Sequence, residues 1–275
     1  SPPPTQGYLT LSTLKAIEML GAEHDNIHRV IETYRIFAAD RDNITYDYGK
    51  NIKDFKGVDL DYIQEKIKLF NPNHSEKFDF PKPHGGGTAY MNTIDKNGLG
   101  VSLIQSNFHG IGSRIGVGSF GFFLHNRGCG FNLDSGHPNY LIPGRKPLHT
   151  LSPTIWSKNG NLEFIAGTRG GRYQPQLLIQ TILPYIQKSD SFEEIIKEPR
   201  WVIENFSSDT ISKLRFEKIN NEDLEILLKK GHEVEVENEL NKAYGPISII
   251  YKKDDGNFEG VCDVRVGTEK VFNSF

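Results

Sequence analysis

The 275 residues carry 35 acidic against 32 basic side chains, a net charge of −3, and 37% of them are hydrophobic. That length supports a sizeable core in one large domain or two ordinary ones, and with no strongly basic segment nucleic-acid binding is set aside as a main activity. Two cysteines, Cys129 and Cys262, exclude a disulfide scaffold, and no apolar run approaches the ~18 residues of a membrane span.

The opening Ser1-Pro2-Pro3-Pro4 lacks Met and reads as the start of a fragment or a processed chain. The compartment therefore stays undetermined, with the cytoplasm as the expectation because no secretory leader opens the chain. An extended lead-in over Pro2–Gly7 precedes a helix from Leu9 to Leu20, with apolar Leu11, Leu14, Ile17 and Leu20 and a stop at Gly21. Helices are expected from about His24 to Ala39 and from about Asp59 to Phe70. Asn71 to Gly87, with three prolines, reads as an irregular, exposed strap. From Thr88 onward the texture changes to short strand-like runs: Tyr90–Ile94, Gly100–Ser106, Gly121–His125, Thr154–Trp156 and Leu162–Ala166. Asp95-Lys96-Asn97-Gly98 is a hairpin signal between the first two. Helices follow from about Tyr173 to Gln187 and from Phe192 to Lys197, then strands near Trp201–Glu204 and Leu214–Glu217. A helix over about Glu222–Lys230 ends at Gly231, and Ile247–Tyr251 with Phe258–Val266 reads as a closing hairpin. This order predicts an α+β layered fold rather than an alternating βαβ sheet.

The most informative stretch is Gly85-Gly86-Gly87-Thr88, three glycines and then a β-branched alcohol opening a strand. Such a tetrad suits a chain that cuts itself before a threonine and uses the freed end as nucleophile. An N-terminal threonine supplies a hydroxyl to attack and an α-amine to take its proton. The amine's reference pKa of about 7.7–8.0 suits a base near neutrality. Gly170-Gly171, just before a helix, offers backbone N–H groups for the anion formed when an amide carbonyl is attacked. Ser106 ends the strand expected to pair with that of Thr88, where its hydroxyl can hold the threonine.

Other patterns fail on context. His84-Gly85-Gly86-Gly87 looks like an esterase oxyanion loop, but no Gly-x-Ser-x-Gly elbow accompanies it. Gly116-Val117-Gly118-Ser119-Phe120-Gly121 is followed by a strand-like run instead of a dinucleotide site's helix. The nine histidines show no metal-ligand spacing and no phosphate loop is present, so neither a cofactor nor a metal is expected.

In this order the pieces resemble the γ-glutamyltranspeptidase family of N-terminal-nucleophile hydrolases over nearly the whole chain. The matching motifs run from Thr88 through Asp95, Lys96 and Gly98; Ser102 to Asn107; Pro147 to Pro153; Gly167 to Gly171; and Pro199-Arg200. The resemblance implies a four-layer α/β/β/α sandwich, with residues 1–87 similar to the end of a large subunit and residues 88–275 to the small subunit. It implies cleavage between Gly87 and Thr88, with Thr88 as nucleophile, Ser106 as supporting hydroxyl, and Gly170 and Gly171 as oxyanion hole. The substrate would be a γ-glutamyl compound of the glutathione type or a related acyl amide, with Asn107, Arg127, His149 and Thr150 in substrate-binding places. A partner segment would carry the large-subunit region upstream of residue 1. Three departures stand out: His149 and Thr150 occupy the place of two adjacent serines, Gly130 that of an acidic residue, and Phe108 that of an asparagine. They point toward an amidase or acylase-like branch. The rival expectation is a non-catalytic or uncleaved relative that keeps the fold.

Overall fold

The computed structural model describes residues 2–21, 26–78, 87–188, 191–203, 213–237, 239–267 and 271. Among these are α1 (Tyr8–Leu20), α2 (Ile27–Ala39), α3 (Arg41–Ile44) and α4 (Leu60–Ile67), followed by the hairpin β1 (Gly87–Ile94) and β2 (Gly100–Phe108). Then come β3 (Thr154–Lys158), β4 (Asn161–Thr168), α5 (Gln174–Lys188), α6 (Phe192–Ile195), β5 (Trp201–Ile203) and β6 (Lys213–Phe216). The chain closes with α7 (Asn221–Lys229), β7 (Glu233–Val236), β8 (Ile247–Lys252) and β9 (Phe258–Val261). None of these helices is long and apolar enough to cross a membrane.

The sheets are β1-β2, β3-β4-β8-β9 and β5-β6-β7. All pairs are antiparallel except β6–β7. The parallel pair was not foreseen, because Glu233-Val-Glu-Val236 is short and half polar; α7 serves as the crossover that brings it beside β6. The four-stranded sheet is covered on both faces at β4, whose residues from Phe164 to Thr168 are all buried. Phe164 and Ala166 of β4 face a core with Leu177, Leu178 and Ile182 of α5. On the opposite face, Tyr90 of β1 lies on Gly167, so closely that a Cβ there would meet its ring at 2.0 Å. At the other end of the hairpin, Gly100 lies against Leu162 and Ile165. Helices, four-stranded sheet and two-stranded hairpin therefore stack as α, β and β. The outer face of the hairpin is bare, with Met91 59% exposed.

Several expectations need correction. In α1 the buried face is Tyr8, Leu9, Ser12, Thr13, Ala16 and Ile17, whereas Leu11 is exposed. Helix α2 begins at Ile27 with Asn26 capping the Arg29 amide; His24 lies outside the described residues. Gly121–His125 is no strand. Positive φ at Gly118 and Gly121 folds the run into a turn with a single bridge, Gly116 to Phe123. Nor is the strap loose where it is described. Ser75 is buried, its amide bonds the Lys230 carbonyl, and Arg35 of α2 donates to Ser75 Oγ at 2.5 Å and to the Glu76 carbonyl at 2.7 Å. Residues 79–86, with Gly85 and Gly86, lie outside the described residues.

Histidines scattered in sequence also meet. His28 Nε2 donates to the Asn71 carbonyl at 2.9 Å, which leaves Nδ1 to accept from His232 Nε2 at 2.7 Å. Both rings are buried, and Glu32 Oε1 lies 3.9 Å from His232. The guanidinium of Arg35 sits on that same carboxylate oxygen.

Candidate active site

The junction between Gly87 and Thr88 is a fault in the β1–β2 ladder. Thr88 pairs with Ser106 and Gly87 with Phe108, so Asn107 is the bulged residue. Phe108 adopts φ of +78°, a conformation that a bulky side chain rarely takes and that the surrounding structure must enforce. Gly87 cannot be larger, because a Cβ there would lie 2.5 Å from the Gly110 carbonyl oxygen.

These distortions converge on one hydroxyl. Ser106 Oγ donates to the Gly87 carbonyl at 2.8 Å, accepts from Thr88 Oγ at 3.1 Å and accepts from the Phe108 amide at 2.9 Å. One donor and two acceptor bonds exhaust a serine hydroxyl. The direction of each bond follows: with its only proton aimed at the Gly87 carbonyl, Ser106 can only accept from Thr88. Thr88 and Ser106, expected together from sequence, are together.

Gly170 and Gly171 lie at the same end of the molecule as Thr88. Along β4, Leu162 and Ile165 face the turn end of the hairpin, and Gly167 faces Tyr90. The chain then runs through Thr168 and Arg169 toward the Thr88 end. Thr88, Tyr90 and Asn92 share the inward face of β1. Gly170 and Gly171 have φ of +121° and +59°, and among the described residues neither amide donates a hydrogen bond. Two successive free N–H groups in left-handed backbone make an anion-binding concavity.

The lead-in forms a wall of this region. Gln6, fully buried, donates to the Thr150 and Gly171 carbonyls at 2.9 and 2.8 Å and accepts from Arg41 at 3.0 Å. The His149 amide bonds the Pro4 carbonyl. Nothing in the local sequence marks Gln6 for this role, because its partners lie 144 and 165 residues away. Arg200 braces the other side. It donates to the Tyr244 and Gly245 carbonyls and pairs with Asp263, while Gly245 packs on the Arg169 carbonyl.

A cavity of about 220 Å³ is lined by Phe108, Gly130, Leu148, Thr150, Arg41 and Arg172, among others. Two expected substrate residues flank it differently. Thr150 is in the wall, whereas Arg127 stands behind Phe108 with its guanidinium 4.7 Å from the ring centroid. His149 is pushed down to about 4 by burial, with Arg127 and Lys146 adding to the effect, so it is a neutral imidazole at pH 7. Asn107 holds the loop from below through its carbonyl, which accepts the Asn126 amide.

The model of the family described as gamma-glutamyltranspeptidase matches residues 1–272. The chain is 32% identical to the oxamate amidohydrolase proenzyme of Klebsiella pneumoniae, over 96% of this chain and 51% of that protein. It is 30% identical to the glutathione hydrolase-like YwrD proenzyme of Bacillus subtilis, over 96% of this chain and 52% of that one. Among solved structures, the cephalosporin acylase of Bacillus halodurans superposes with a TM-score of 0.81 at 25% identity, covering 96% of this chain and 48% of that one. The chain thus spans about half the length of the curated relatives it matches. With the family model reaching from end to end, the chain belongs to the gamma-glutamyltranspeptidase family.

Proposed function

We propose that this chain carries the self-cleaving threonine machinery of an amide hydrolase, with residues 1–87 and 88–275 becoming separate pieces. The observation that carries the reading is the Ser106 hydroxyl, which bridges Thr88 Oγ and the Gly87 carbonyl. In self-cleavage Thr88 Oγ attacks the Gly87 carbonyl carbon. Its proton passes to Ser106 as the Ser106 proton moves to the carbonyl oxygen. The tetrahedral centre then collapses: its hydroxyl re-forms the carbonyl and gives up its proton to the Thr88 nitrogen as the C–N bond breaks, leaving an ester on Thr88 Oγ that water hydrolyses. Turnover repeats the chemistry on a substrate amide. Thr88 Oγ takes the acyl group, the freed α-amine carries the proton to the departing amine, and the Gly170 and Gly171 amides hold the oxyanion. Water releases the acid; an amine acceptor would give a transfer product instead.

The relatives' names support an amide substrate, glutathione or oxamate in the two cases above. We place this chain nearer the second, because oxamate bears a carboxylate and no ammonium group, and Gly130 supplies no acid for an ammonium. The bare outer face of β1 and β2 fits a covering segment supplied by further chain, on the same or another polypeptide. Quenching the full-length protein during turnover and digesting it tests the assignment. The expected result is an acylated peptide whose first residue is Thr88, and none from Thr88→Ala; acylation elsewhere would refute it.

A further inference from the structure

Two glycines do not hold themselves in place. Gly170 and Gly171 adopt φ of +121° and +59° and have no side chains to lock those angles. Yet donors stabilise an oxyanion only when they are aimed before the charge develops. The bonds within this loop are local. The Tyr173 amide donates to the Gly170 carbonyl at 3.0 Å, the Gln174 amide to the Gly171 carbonyl, and Thr168 Oγ to the Arg169 carbonyl at 3.1 Å. Gln6 reaches the Gly171 carbonyl from 165 residues away.

The orientation of the Gln6 amide is fixed by its neighbours. Arg41 has donors only, so the atom facing its Nη1 is Gln6 Oε1. Both Nε2 protons are then spent on the Thr150 and Gly171 carbonyls, which ties the glycine loop to a residue of the cavity wall. Arg41 is held in turn by Asp42, through bonds of 2.8 and 2.6 Å. The backbone beside Gln6 is anchored as well. Thr5 bridges His149, and the Gln6 carbonyl accepts the Leu9 amide at the start of α1. With its side chain fully buried, Gln6 acts on the loop and not on substrate.

We infer that Gln6 is a positioning residue for the oxyanion hole, held in register by Arg41. This rests on the threonine mechanism proposed above and adds a division of labour. The nucleophile and the oxyanion donors lie on the 88–275 piece, and the amide that aims those donors lies on the 1–87 piece. Self-cleavage does not need this support, because there the carbonyl oxygen is served by Ser106. Turnover does.

The full-length wild type, Gln6→Met and Gln6→Glu are followed for self-cleavage on denaturing gels and for hydrolysis of oxamate and glutathione. Met removes both donors; Glu keeps the shape and the Arg41 contact but turns an oxygen toward the two carbonyls. Self-cleavage is expected within about threefold of the wild type, with kcat lower by about 10–100-fold at nearly unchanged KM, because the donors are displaced and not deleted. A glutamine that serves only the fold would slow both steps together. A second readout needs no turnover. Amide hydrogen exchange in a peptide spanning 168–176 quickens by about tenfold in both variants, while the β1–β2 hairpin keeps its rate. A kcat within about threefold of the wild type, a loss confined to KM, self-cleavage that falls with turnover, or unchanged exchange over 168–176 overturns the inference. If the wild type hydrolyses neither amide, the proposed activity fails, and the exchange rates alone decide whether Gln6 holds the loop.

Discussion

Ser106→Ala isolates the step on which self-cleavage turns. The substitution removes the donor 2.8 Å from the Gly87 carbonyl and the acceptor 3.1 Å from Thr88 Oγ. Removing one such donor from a developing oxyanion costs about 3–4 kcal/mol, or roughly 10²–10³ in rate. Losing the acceptor for the threonine proton adds to this. The cost in folding is smaller: the Phe108 amide loses a partner in a half-buried place, about 1 kcal/mol. Cleavage should therefore slow by at least two orders of magnitude, with Tm lower by only a few degrees. The assay is the fraction of intact chain on denaturing gels over time, beside a melting curve on the same sample. Ser106→Thr, which keeps a hydroxyl, should recover part of the rate. Cleavage of Ser106→Ala within about threefold of the wild type, in a folded sample, would refute the relay.

Two further outcomes concern stability. Arg200→Ala removes a buried partner of Asp263 and the guanidinium bonds to the Tyr244 and Gly245 carbonyls; a loss of about 3–5 kcal/mol is expected in urea denaturation, and a loss under 1 kcal/mol would show that the network does not hold this loop. The His28–His232 pair gives a pH dependence. Burial is the main cause that lowers His28 to about 4 and His232 to about 3, with Arg35 and Lys230 adding to it at both rings, against about 6.5 in an unfolded chain. Folded values below unfolded ones mean that stability is whole above about pH 6.5 and is lost on acidification. With both rings unprotonated in the folded chain and two protons taken up on unfolding, the loss by pH 5 is about 4 kcal/mol. Glu32, whose carboxyl is raised by burial, acts in the opposite sense and offsets part of this loss. Imidazole NMR should show both rings neutral down to pH 5; titration near 6.5 would contradict the buried pair.

What sequence could read was local. Thr88, Ser106 and the Gly170-Gly171 pair sit in short stretches whose residue types state their chemistry, and the Asp95–Gly98 turn set the register that brings Thr88 opposite Ser106. What it could not read depends on distant backbone. Gln6 meets Thr150 and Gly171 only in three dimensions. Gly130 looked like a missing acid, and its reason is the Leu148 carbonyl. His28 and His232 are 204 residues apart. The aromatic run at Phe120–Phe123 resembled a strand because it is apolar, yet it is largely exposed and two glycines turn it aside.

The most direct test is the intact mass of purified full-length protein followed over days. The account requires the parent mass to give way to two species that meet between Gly87 and Thr88, with amide hydrolysis rising in step. A chain that stays whole while it hydrolyses amides would contradict it.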